Sequence, residues 1–268
     1  MDMQYVHQKC VDSLRSFTEL LGCTNVVVGL SGGLDSSVVA TLCVHAFGAN
    51  RVHGVLMPGP YSSDHSLTDA QDLAARLGIE TRTVSIKEPY FAFEQVFKEA
   101  YGQDLAGTAA ENSQARCRMI VLMALSNQYG WMVVNTGNKS EAMMGYSTLY
   151  GDTAGAYAPL GGLYKTQVFA LAEWLNEQAR AAGSVEPIPQ HVIDKPPSAE
   201  LSAGQQDEKS LGVTYAVLDQ ILTCLVERNM SVEETAAQGF DAAEVERINA
   251  TMHAYAFKRA LEPPFPQF

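Results

Sequence analysis

A glycine- and serine-rich segment, Gly29-Leu-Ser-Gly-Gly-Leu-Asp-Ser-Ser37, is the part of the sequence whose residue types most clearly indicate chemistry. Gly32 and Gly33 permit tight backbone angles and the close approach of a ligand. The serine hydroxyls can donate hydrogen bonds, and a helix that follows would point its N-terminal amides at a bound anion. The segment therefore predicts a phosphate-binding turn. Asp35 would repel phosphate unless a divalent cation lies between them, so its presence suggests Mg²⁺.

This segment differs from the two commonest phosphate-binding motifs, because the sequence lacks both GxxxxGK[ST] and GxGxxG. A simpler interpretation is a strand–turn–helix junction in which Ser31, Ser36 and Ser37 only cap the helix. Two glycines, three serines and an acid coincide at one turn. That combination favours phosphate binding over simple capping.

Alternating strands and helices surround the turn and would position it. Short valine-rich or apolar runs predict strands at 25–30, 51–57, 79–86 and 131–135. Helical periodicity predicts helices at 6–21, 36–47, 67–77, 89–101, 111–129, 165–182, 211–229 and 241–258. The alternation predicts an α/β fold with a doubly wound, mostly parallel sheet and extra C-terminal helices. The proline-containing stretch 185–209 should be irregular, and Ser231-Val-Glu-Glu234 is typical of a capping box.

A second candidate group follows the strand at 131–135, in the segment Thr136-Gly-Asn-Lys-Ser-Glu141. Ligands of doubly wound sheets bind beyond the carboxyl ends of the strands, where the strand order reverses. If the first and fourth strands are neighbours, Asp35 and Glu141 face one crevice and could hold Mg²⁺ together. Taken alone, Glu141 could equally be a solvated acid at a helix start.

Composition excludes several classes of protein. The formal net charge of -12 argues against a protein that coats nucleic acid or an anionic membrane, and no apolar run is long enough to span a bilayer. The five cysteines are widely spaced, odd in number and without a CxxC pair, which favours reduced thiols over disulfides or a thiolate zinc site. The start of the chain has no secretory signal pattern, so we expect a cytoplasmic protein.

The segment SGGLDSS resembles the signature of the ATP pyrophosphatase (PP-loop) superfamily, whose members cleave ATP to AMP and pyrophosphate while activating an oxygen of the substrate. Further segments resemble the NAD⁺ synthetase family in particular. They are ENSQARCRM at 111–119, TGNKSE at 136–141, GYSTLYGD at 145–152, KPPSAEL at 195–201 with LGVTY at 211–215, and Phe257-Lys-Arg259 before the terminal prolines. These ordered matches extend from the first strand almost to the C-terminus.

The resemblance implies one NAD synthetase domain over residues 1–268 that amidates deamido-NAD⁺ with ammonia. ATP is the co-substrate, Mg²⁺ the cofactor, an acyl-adenylate the intermediate, and AMP and pyrophosphate the by-products. Family members are homodimers with the dinucleotide site at the subunit interface. Only about 24 residues precede the first strand, too few for a glutaminase domain, so free ammonia is the expected nitrogen source unless a separate subunit supplies it.

The resemblance also implies roles for individual residues. The implied ATP-binding residues are Gly29, Leu30, Ser31, Gly32, Gly33, Leu34, Asp35, Ser36, Thr136, Lys165 and Ser198. The implied dinucleotide-binding residues are Arg116, Leu149, Asp152, Phe257 and Lys258. Asp35 and Glu141 would hold Mg²⁺. Among the catalytic residues Asp35, Lys165 and Asp152, Lys165 would neutralise departing pyrophosphate and Asp152 would orient or deprotonate ammonium.

Some residues depart from the family pattern or suit a simpler interpretation. Leu149 stands where many relatives have lysine, and Phe257 replaces a residue that is often histidine or tyrosine, which puts hydrogen bonds at both positions in doubt. Arg118, two residues after Arg116, is expected to be an exposed, solvated arginine. The apolar stripes of the helices at 6–21 and 111–129 could be intrachain core or a subunit contact.

Two other functions remain open at this stage. One is a different PP-loop enzyme, such as a GMP-synthetase-like ligase or a tRNA thiolase, although the latter expects a basic surface and often paired cysteines. The other is a nucleotide-binding module without turnover. The joint presence of Asp35, Glu141 and Lys165 favours an enzyme, because simple binding does not require all three.

The stretch 185–209 is expected to close over ATP.

Overall fold

A four-stranded parallel sheet forms the centre of the protein in the computed structural model, which describes residues 1–268. The strands are β1 (Val26–Gly29), β2 (Val52–Leu56), β3 (Glu80–Thr83) and β4 (Met132–Val133). Their order is β3-β2-β1-β4, so the first and fourth strands are neighbours, and Val26 pairs with both Val52 and Met132. The strand order reverses between β1 and β4, and this confirms the doubly wound sheet with a crevice at that point.

Helices cover both faces of the sheet, and the valines of β1 show why. Val26 and Val28 lie in the large apolar core on one face, whereas Val27 lies in the smaller core on the other. This alternation is the two-residue period of a strand that is buried on both sides. The helices are α1 (Met3–Leu21), α2 (Leu34–Phe47), α3 (Asp64–Leu77), α4 (Lys87–Tyr101), α5 (Thr108–Tyr129), α6 (Lys139–Met144), α7 (Lys165–Ala181), α8 (Gln190–Asp194), α9 (Asp207–Leu211), α10 (Tyr215–Leu222), α11 (Val232–Ala236), α12 (Ala242–Ala254) and α13 (Ala256–Arg259).

The two apolar stripes that the sequence left open have different environments. In α1, Val6, Cys10 and Leu14 are fully buried against α2 and α7, so this stripe is intrachain core. Helix α5 packs on β1 and β4 through Met119 and Leu122. The opposite side of α5 exposes apolar side chains.

The C-terminal helices form a third apolar cluster beside α6. Leu218 and Leu222 of α10 pack there with Val245 and Ile248 of α12, and all four are fully buried. This cluster places α10 directly against the starts of α6 and α7. The chain then ends without helix, and the backbone N–H of Ala158 donates to the carbonyl of Pro264 at 3.0 Å.

Three predicted elements need correction. The helix at 211–229 is interrupted, because Gly212 takes a left-handed φ of 71° and α10 begins only at Tyr215, followed by a π-helical turn. The helix at 241–258 breaks at Tyr255, and the stretch 185–209 contains the short helices α8 and α9. The predicted capping box of Ser231 and Glu234 is confirmed. No helix is long and apolar enough to cross a membrane, and all five cysteines are free thiols.

Candidate functional site

A cavity of about 300 Å³ lies at the carboxyl ends of β1 and β4, at the reversal of strand order. Twelve of the predicted ATP-binding, dinucleotide-binding and metal-binding residues line it: Gly29, Leu30, Ser31, Gly33, Leu34, Asp35, Ser36, Thr136, Glu141, Asp152, Lys165 and Ser198. The predicted phosphate turn and the predicted carboxylates therefore share one cavity. Its size and its mixture of apolar and convergent polar side chains are typical of a small-molecule site.

The phosphate turn connects β1 to α2 in the geometry that its glycines predict. Gly32 has a left-handed φ of 74°, and a Cβ there would collide with the backbone carbonyl of Ser66. Ser31 Oγ accepts the backbone N–H of Gly33 at 3.1 Å. Helix α2, which is 14 residues long, begins directly after the turn. The turn thus lines the cavity immediately before a helix N-terminus, a position that favours a bound anion.

The serines of the turn divide into two groups. Ser31 Oγ and Ser36 Oγ lie 3.0 Å apart, and both residues line the cavity. Ser37 is fully buried, and its hydroxyl donates to the carbonyl of Gly33 at 2.8 Å. The capping interpretation is not supported, because Gly33 is the N-cap residue of α2 and no side chain accepts a hydrogen bond from the first helical N–H groups. Ser36 also donates to the carbonyl of Gly33, at 3.1 Å, but Ser31 and Ser36 line the cavity whereas Ser37 does not.

Three charged side chains meet beside the turn. The Lys165 ammonium is ion-paired with the Asp35 carboxylate and lies 3.0 Å from Glu141 Oε1. The Lys165 side chain is only 3% exposed, which makes this a buried cluster that opens to the cavity through its carboxylates. Asn138 links the Asp35 carboxylate to the backbone of Glu141, because its Nδ2 donates to Asp35 Oδ1 and its Oδ1 accepts the backbone N–H of Glu141, both at 3.1 Å.

Burial and charge together set the protonation of this cluster. Burial raises the pKa of Glu141 to about 7, opposed by the Lys165 ammonium and reinforced by the Asp35 carboxylate. Burial also disfavours the Lys165 ammonium, but Asp35 and Glu141 outweigh it and hold the pKa of Lys165 above its usual value. Lys165 is consequently a fixed cation at the wall of the cavity.

The donor set of Asp35 and Glu141 fits Mg²⁺ bound together with a polyphosphate. No group of three or more His, Cys, Asp or Glu residues is arranged to hold a metal by itself. Mg²⁺ is commonly bound by one or two carboxylates, with substrate phosphates and water completing the octahedron. Two carboxylates beside a phosphate turn match that pattern, so a cation would be held jointly with the nucleotide.

The loop 145–152 forms another side of the cavity and is fixed by residues from distant elements. Lys258 Nζ donates to the carbonyls of Gly145 at 2.7 Å and Ser147 at 2.5 Å. Arg116 Nε donates to the carbonyl of Leu149 at 3.2 Å. Arg116, Leu149, Lys258 and the exposed Phe257 all lie outside the cavity lining, so their dinucleotide-binding roles stay predictions.

Asn135 is a structural residue of the site that the sequence interpretation missed. Its amide nitrogen donates to the carbonyls of Asp152 at 2.7 Å and Ala154 at 2.9 Å, and its oxygen accepts the N–H of Gly137 at 2.7 Å. Asp152 lines the cavity, and its Oδ1 accepts the N–H of Thr148 at 2.5 Å. A buried asparagine at the end of an apolar strand is the signal that could have identified Asn135.

The prediction that Arg118 is an exposed, solvated arginine is wrong. Its Nε donates to the carbonyl of Met57 at 3.1 Å, and it also contacts Ser62 Oγ at 3.4 Å. It lines the cavity, and burial lowers the pKa of its guanidinium. The position two residues after Arg116 turns this side chain toward the end of β2, where the backbone offers acceptors.

The segment Lys195–Glu200, here called the strap, lines the cavity and is hydrogen-bonded to the start of α3. Glu200 accepts hydrogen bonds from Ser63 N at 3.1 Å, Ser63 Oγ at 3.0 Å and Ser66 Oγ at 2.7 Å, while Lys195 Nζ lies 3.2 Å from it. Glu200 adopts a left-handed φ of 48°, which is strained for a residue with a side chain. Ser198, at the centre of the strap, donates to the carbonyl of Gln205 at 2.7 Å.

We expect Glu200→Gln to loosen the strap. Removing the charge weakens several charge-assisted hydrogen bonds, so cleavage between residues 195 and 206 by a nonspecific protease should accelerate roughly tenfold. Asp194→Asn is the control, because Asp194 is exposed and its carboxylate accepts a hydrogen bond from Gln190 of the same helix and not from α3. ATP should slow cleavage of the unsubstituted chain if the strap closes over it, and equal cleavage with and without ATP would contradict closure.

Comparisons with known proteins place this arrangement in a family. The family model described as NAD synthase matches residues 6–262. The glutamine-dependent NAD(+) synthetase of Rhodobacter capsulatus is 45% identical over 273 residues, covering 99% of this chain and 49% of that protein. The corresponding enzyme of Thermotoga maritima is 42% identical, covering 93% and 42%. The chain therefore spans about half the length of the curated relatives it matches.

Two solved structures match over nearly the full length of both chains. The NMN synthetase from Francisella tularensis has a TM-score of 0.80 and 32% identity, covering 97% of this chain and 96% of the other. The NH3-dependent NAD synthetase from Campylobacter jejuni has a TM-score of 0.76 and 31% identity, covering 96% of each chain. Both the structural similarity and the sequence identity thus point to the same family as the sequence motifs.

Proposed function

The chain belongs to the NAD synthase family, and from that premise we propose that it amidates deamido-NAD⁺ with ammonia in an ATP-dependent reaction. The observation that carries the proposal is the buried cluster of Lys165, Asp35 and Glu141 beside the phosphate turn. The turn suits the anionic phosphates of a nucleotide, and the lysine suits the charge that develops when pyrophosphate leaves.

The chemistry needs an activated carboxyl group, because the carboxylate of deamido-NAD⁺ has no good leaving group. In the proposed sequence, a carboxylate oxygen bonds to the α-phosphorus of ATP, and the bond to pyrophosphate breaks. Ammonia then forms a bond to the carbonyl carbon, AMP leaves with the former carboxylate oxygen, and the nitrogen loses a proton. Each step is mainly positioning and charge neutralisation, so no nucleophilic side chain is required.

The cavity residues divide this work in the proposal. Backbone amides of the turn, with Ser31 and Ser36, bind the phosphates, and Thr136 and Ser198 line the same space. Lys165 offsets the negative charge of departing pyrophosphate. Mg²⁺ held by Asp35 and Glu141 would supply further positive charge to the ATP oxygens.

The loop 145–152 is proposed to face the second substrate. Asp152 would orient or deprotonate ammonium, since it is the carboxylate that this loop contributes to the cavity. Arg116 and Lys258 both donate to the backbone of the loop and could bind the anionic dinucleotide from its outer side. Leu149 and Phe257 offer apolar surface in place of the hydrogen-bonding side chains that many relatives carry.

The nitrogen donor is the first experimental test. The similar sequences are glutamine-dependent, whereas the Campylobacter structure is NH3-dependent and is matched along nearly its full length. We expect the purified chain to release pyrophosphate and NAD⁺ from deamido-NAD⁺, ATP and Mg²⁺ with ammonium, but not with glutamine. Equal rates with glutamine would contradict free ammonia as the source, and no release with either would contradict the proposed reaction.

A second candidate substrate is a mononucleotide, because the Francisella protein of similar shape is an NMN synthetase. The chemistry at the carboxyl group would be the same, and only the adenylate half of the substrate would be missing. Nicotinate mononucleotide therefore belongs in the same assay as a parallel substrate. A higher kcat/KM for the mononucleotide than for deamido-NAD⁺ would assign this second function.

We also propose that the chain forms a homodimer through α4 and α5. Ile120 is 68% exposed and Val96 61%, with Phe91 and Phe93 also exposed, which is the type of apolar patch that marks an interface. Arg116 lies four residues before Ile120 and therefore on the same side of α5. A dinucleotide that reaches Arg116 would accordingly lie near the subunit boundary.

The dimer predicts a specific effect of surface charge. Ile120→Glu should yield monomers of 29.0 kDa by sedimentation, whereas the unsubstituted chain should have twice that mass. Leu20→Glu is the control, because Leu20 is an exposed apolar residue on α1, away from α4 and α5. A monomeric unsubstituted chain, or an Ile120→Glu variant that keeps its mass, would contradict this interface.

A further inference from the structure

A buried carboxylate outside the cavity lining connects the helices that carry the charged cluster. Asp219, on α10, is only 5% exposed. Its Oδ1 accepts the hydroxyl of Ser140 at 2.5 Å, and its Oδ2 accepts the backbone N–H of Thr166 at 2.8 Å and the Thr166 hydroxyl at 2.7 Å. Ser140 and Thr166 lie at the starts of α6 and α7. One side chain therefore joins two helix N-termini.

The connection continues to the charged cluster itself. Ser140 is fully buried, and its Oγ accepts the backbone N–H of Lys165 at 2.8 Å. Glu141 is the next residue after Ser140, and Lys165 is the residue before Thr166. Each side chain that Asp219 holds is thus adjacent in sequence to a member of the cluster. A shift of either helix start would move Lys165 relative to Glu141.

The environment of Asp219 explains how its charge is tolerated without an ion-pair partner. Burial raises the pKa of Asp219 above its usual value, and hydrogen bonds from Ser140 and Thr166 offset only part of this rise. The N-terminal ends of α6 and α7 also favour a negative charge at this position. A buried carboxylate is costly unless it is well hydrogen-bonded, and here every donor belongs to an element that carries the site.

We infer that Asp219 is a positioning residue that fixes Lys165 and Glu141 relative to each other through Ser140 and Thr166. The inference rests on the proposed amidation and adds to it a residue that touches neither ATP nor the dinucleotide. Misplacement of a catalytic group by about 1 Å can cost roughly 100-fold in rate, so the effect should fall on turnover. Substrate affinity depends on the turn and the outer loop, which Asp219 does not contact.

The test is kinetic and compares matched variants. Asp219→Asn keeps the shape of the side chain but offers an N–H₂ group where one of its oxygens accepts hydrogen bonds. We expect kcat for amidation to fall about 100-fold, with the KM for ATP within about threefold of the unsubstituted value. Ser140→Ala should likewise lower kcat with little change in the KM for ATP. Thr166→Val should lower kcat less, because the hydrogen bond from the backbone N–H of Thr166 to Asp219 remains.

Leu218→Ala is the control for a purely structural effect. Leu218 is fully buried beside Asp219 on α10. Its replacement by alanine should lower the melting temperature while leaving kcat within about twofold of the unsubstituted value. Acetylation of the Lys165 amine, followed by mass spectrometry, adds a readout independent of turnover. Asp219→Asn should make Lys165 react faster, because looser helix starts would open the buried ion pair to the reagent more often. Unchanged kcat and unchanged Lys165 reactivity in Asp219→Asn would overturn the inference. So would a loss of kcat that follows melting temperature equally in Asp219→Asn and Leu218→Ala.

The failure of this inference and the failure of the proposed function are distinguishable. An unsubstituted chain without amidation activity contradicts the function, while the Lys165 reactivity still tests the positioning. An active unsubstituted chain whose Asp219→Asn variant keeps full kcat contradicts the positioning alone.

Discussion

Lys165→Met should lower the rate of amidation by about 100- to 1,000-fold, the largest kinetic effect that we expect from one substitution. Methionine preserves much of the length of the side chain but removes the only cation in contact with Asp35 and Glu141. The variant would leave two carboxylates facing each other beside an incoming polyphosphate, and it would not neutralise departing pyrophosphate. The measurement is NAD⁺ formation at saturating ATP, deamido-NAD⁺ and ammonium.

The control for this variant is Lys139→Met. Lys139 lies on α6, is ion-paired with Glu227 and does not line the cavity. Lys139→Met should therefore retain turnover within about twofold, because the ionic partner of Lys139 is Glu227 and not a member of the charged cluster. Equal losses in the two variants would show that a general change of charge, and not the placement of Lys165, controls the rate. Retention of full activity by Lys165→Met would contradict its proposed role.

Gly32→Ala should destabilise the protein by about 3 kcal/mol and abolish nucleotide binding, the largest thermodynamic effect that we expect. Two separate physical causes act at this position. The φ of 74° is unfavourable for any residue with a Cβ, and that Cβ would collide with the carbonyl of Ser66. Relief of the collision would move the turn or α3, and either movement displaces the amides that face the cavity. Urea unfolding and ATP titration measure the two effects.

Gly78→Ala separates the two causes. Gly78 has a φ of 65°, close to that of Gly32, but a Cβ there would meet nothing within 4 Å. It should therefore cost only about 1 kcal/mol and leave ATP binding unchanged. If Gly32→Ala and Gly78→Ala differ by less than about 0.5 kcal/mol, the collision does not contribute and the close approach of Ser66 is not what requires glycine.

The positions of some site residues could be predicted from local sequence patterns and from the rule that ligands bind where the strand order reverses. A strand, the glycine turn and a helix follow one another directly, so the position of Asp35 is set by its neighbours in sequence. Glu141 follows the fourth strand, and pairing of that strand with the first brings it to the same cavity. The contact of Lys165 with both carboxylates was not predicted from the sequence, and it emerges only where the start of α7 meets the ends of β1 and β4 in the fold.

Residues that act over long sequence separations were not predictable from the same patterns. Asp219 looks like an ordinary polar residue of a C-terminal helix, yet it reaches Ser140 and Thr166 across α10, α6 and α7. Arg118 was misassigned because its acceptor, the carbonyl of Met57, carries no sequence signal at all. Where a side chain meets backbone atoms of a distant segment, only the folded structure reveals the contact.

The predicted helix boundaries in the C-terminal region were wrong for a different reason. The apolar periodicity continues across Gly212 and Tyr215, so spacing alone indicates one helix from 211 to 229. The left-handed conformation of Gly212 ends α9, and α10 starts anew to bury Leu218 and Leu222. Asp219 lies on this separate helix and contacts the starts of α6 and α7.

The most direct test of the central claim follows one oxygen atom through the reaction. Deamido-NAD⁺ labelled with ¹⁸O in its carboxylate is incubated with the chain, ATP, Mg²⁺ and ammonium, and the products are analysed by mass spectrometry. Activation through an acyl-adenylate predicts that one ¹⁸O appears in AMP for each NAD⁺ formed, and that none appears in pyrophosphate. Unlabelled AMP accompanying NAD⁺ formation, or pyrophosphate release that does not depend on deamido-NAD⁺, would contradict the account.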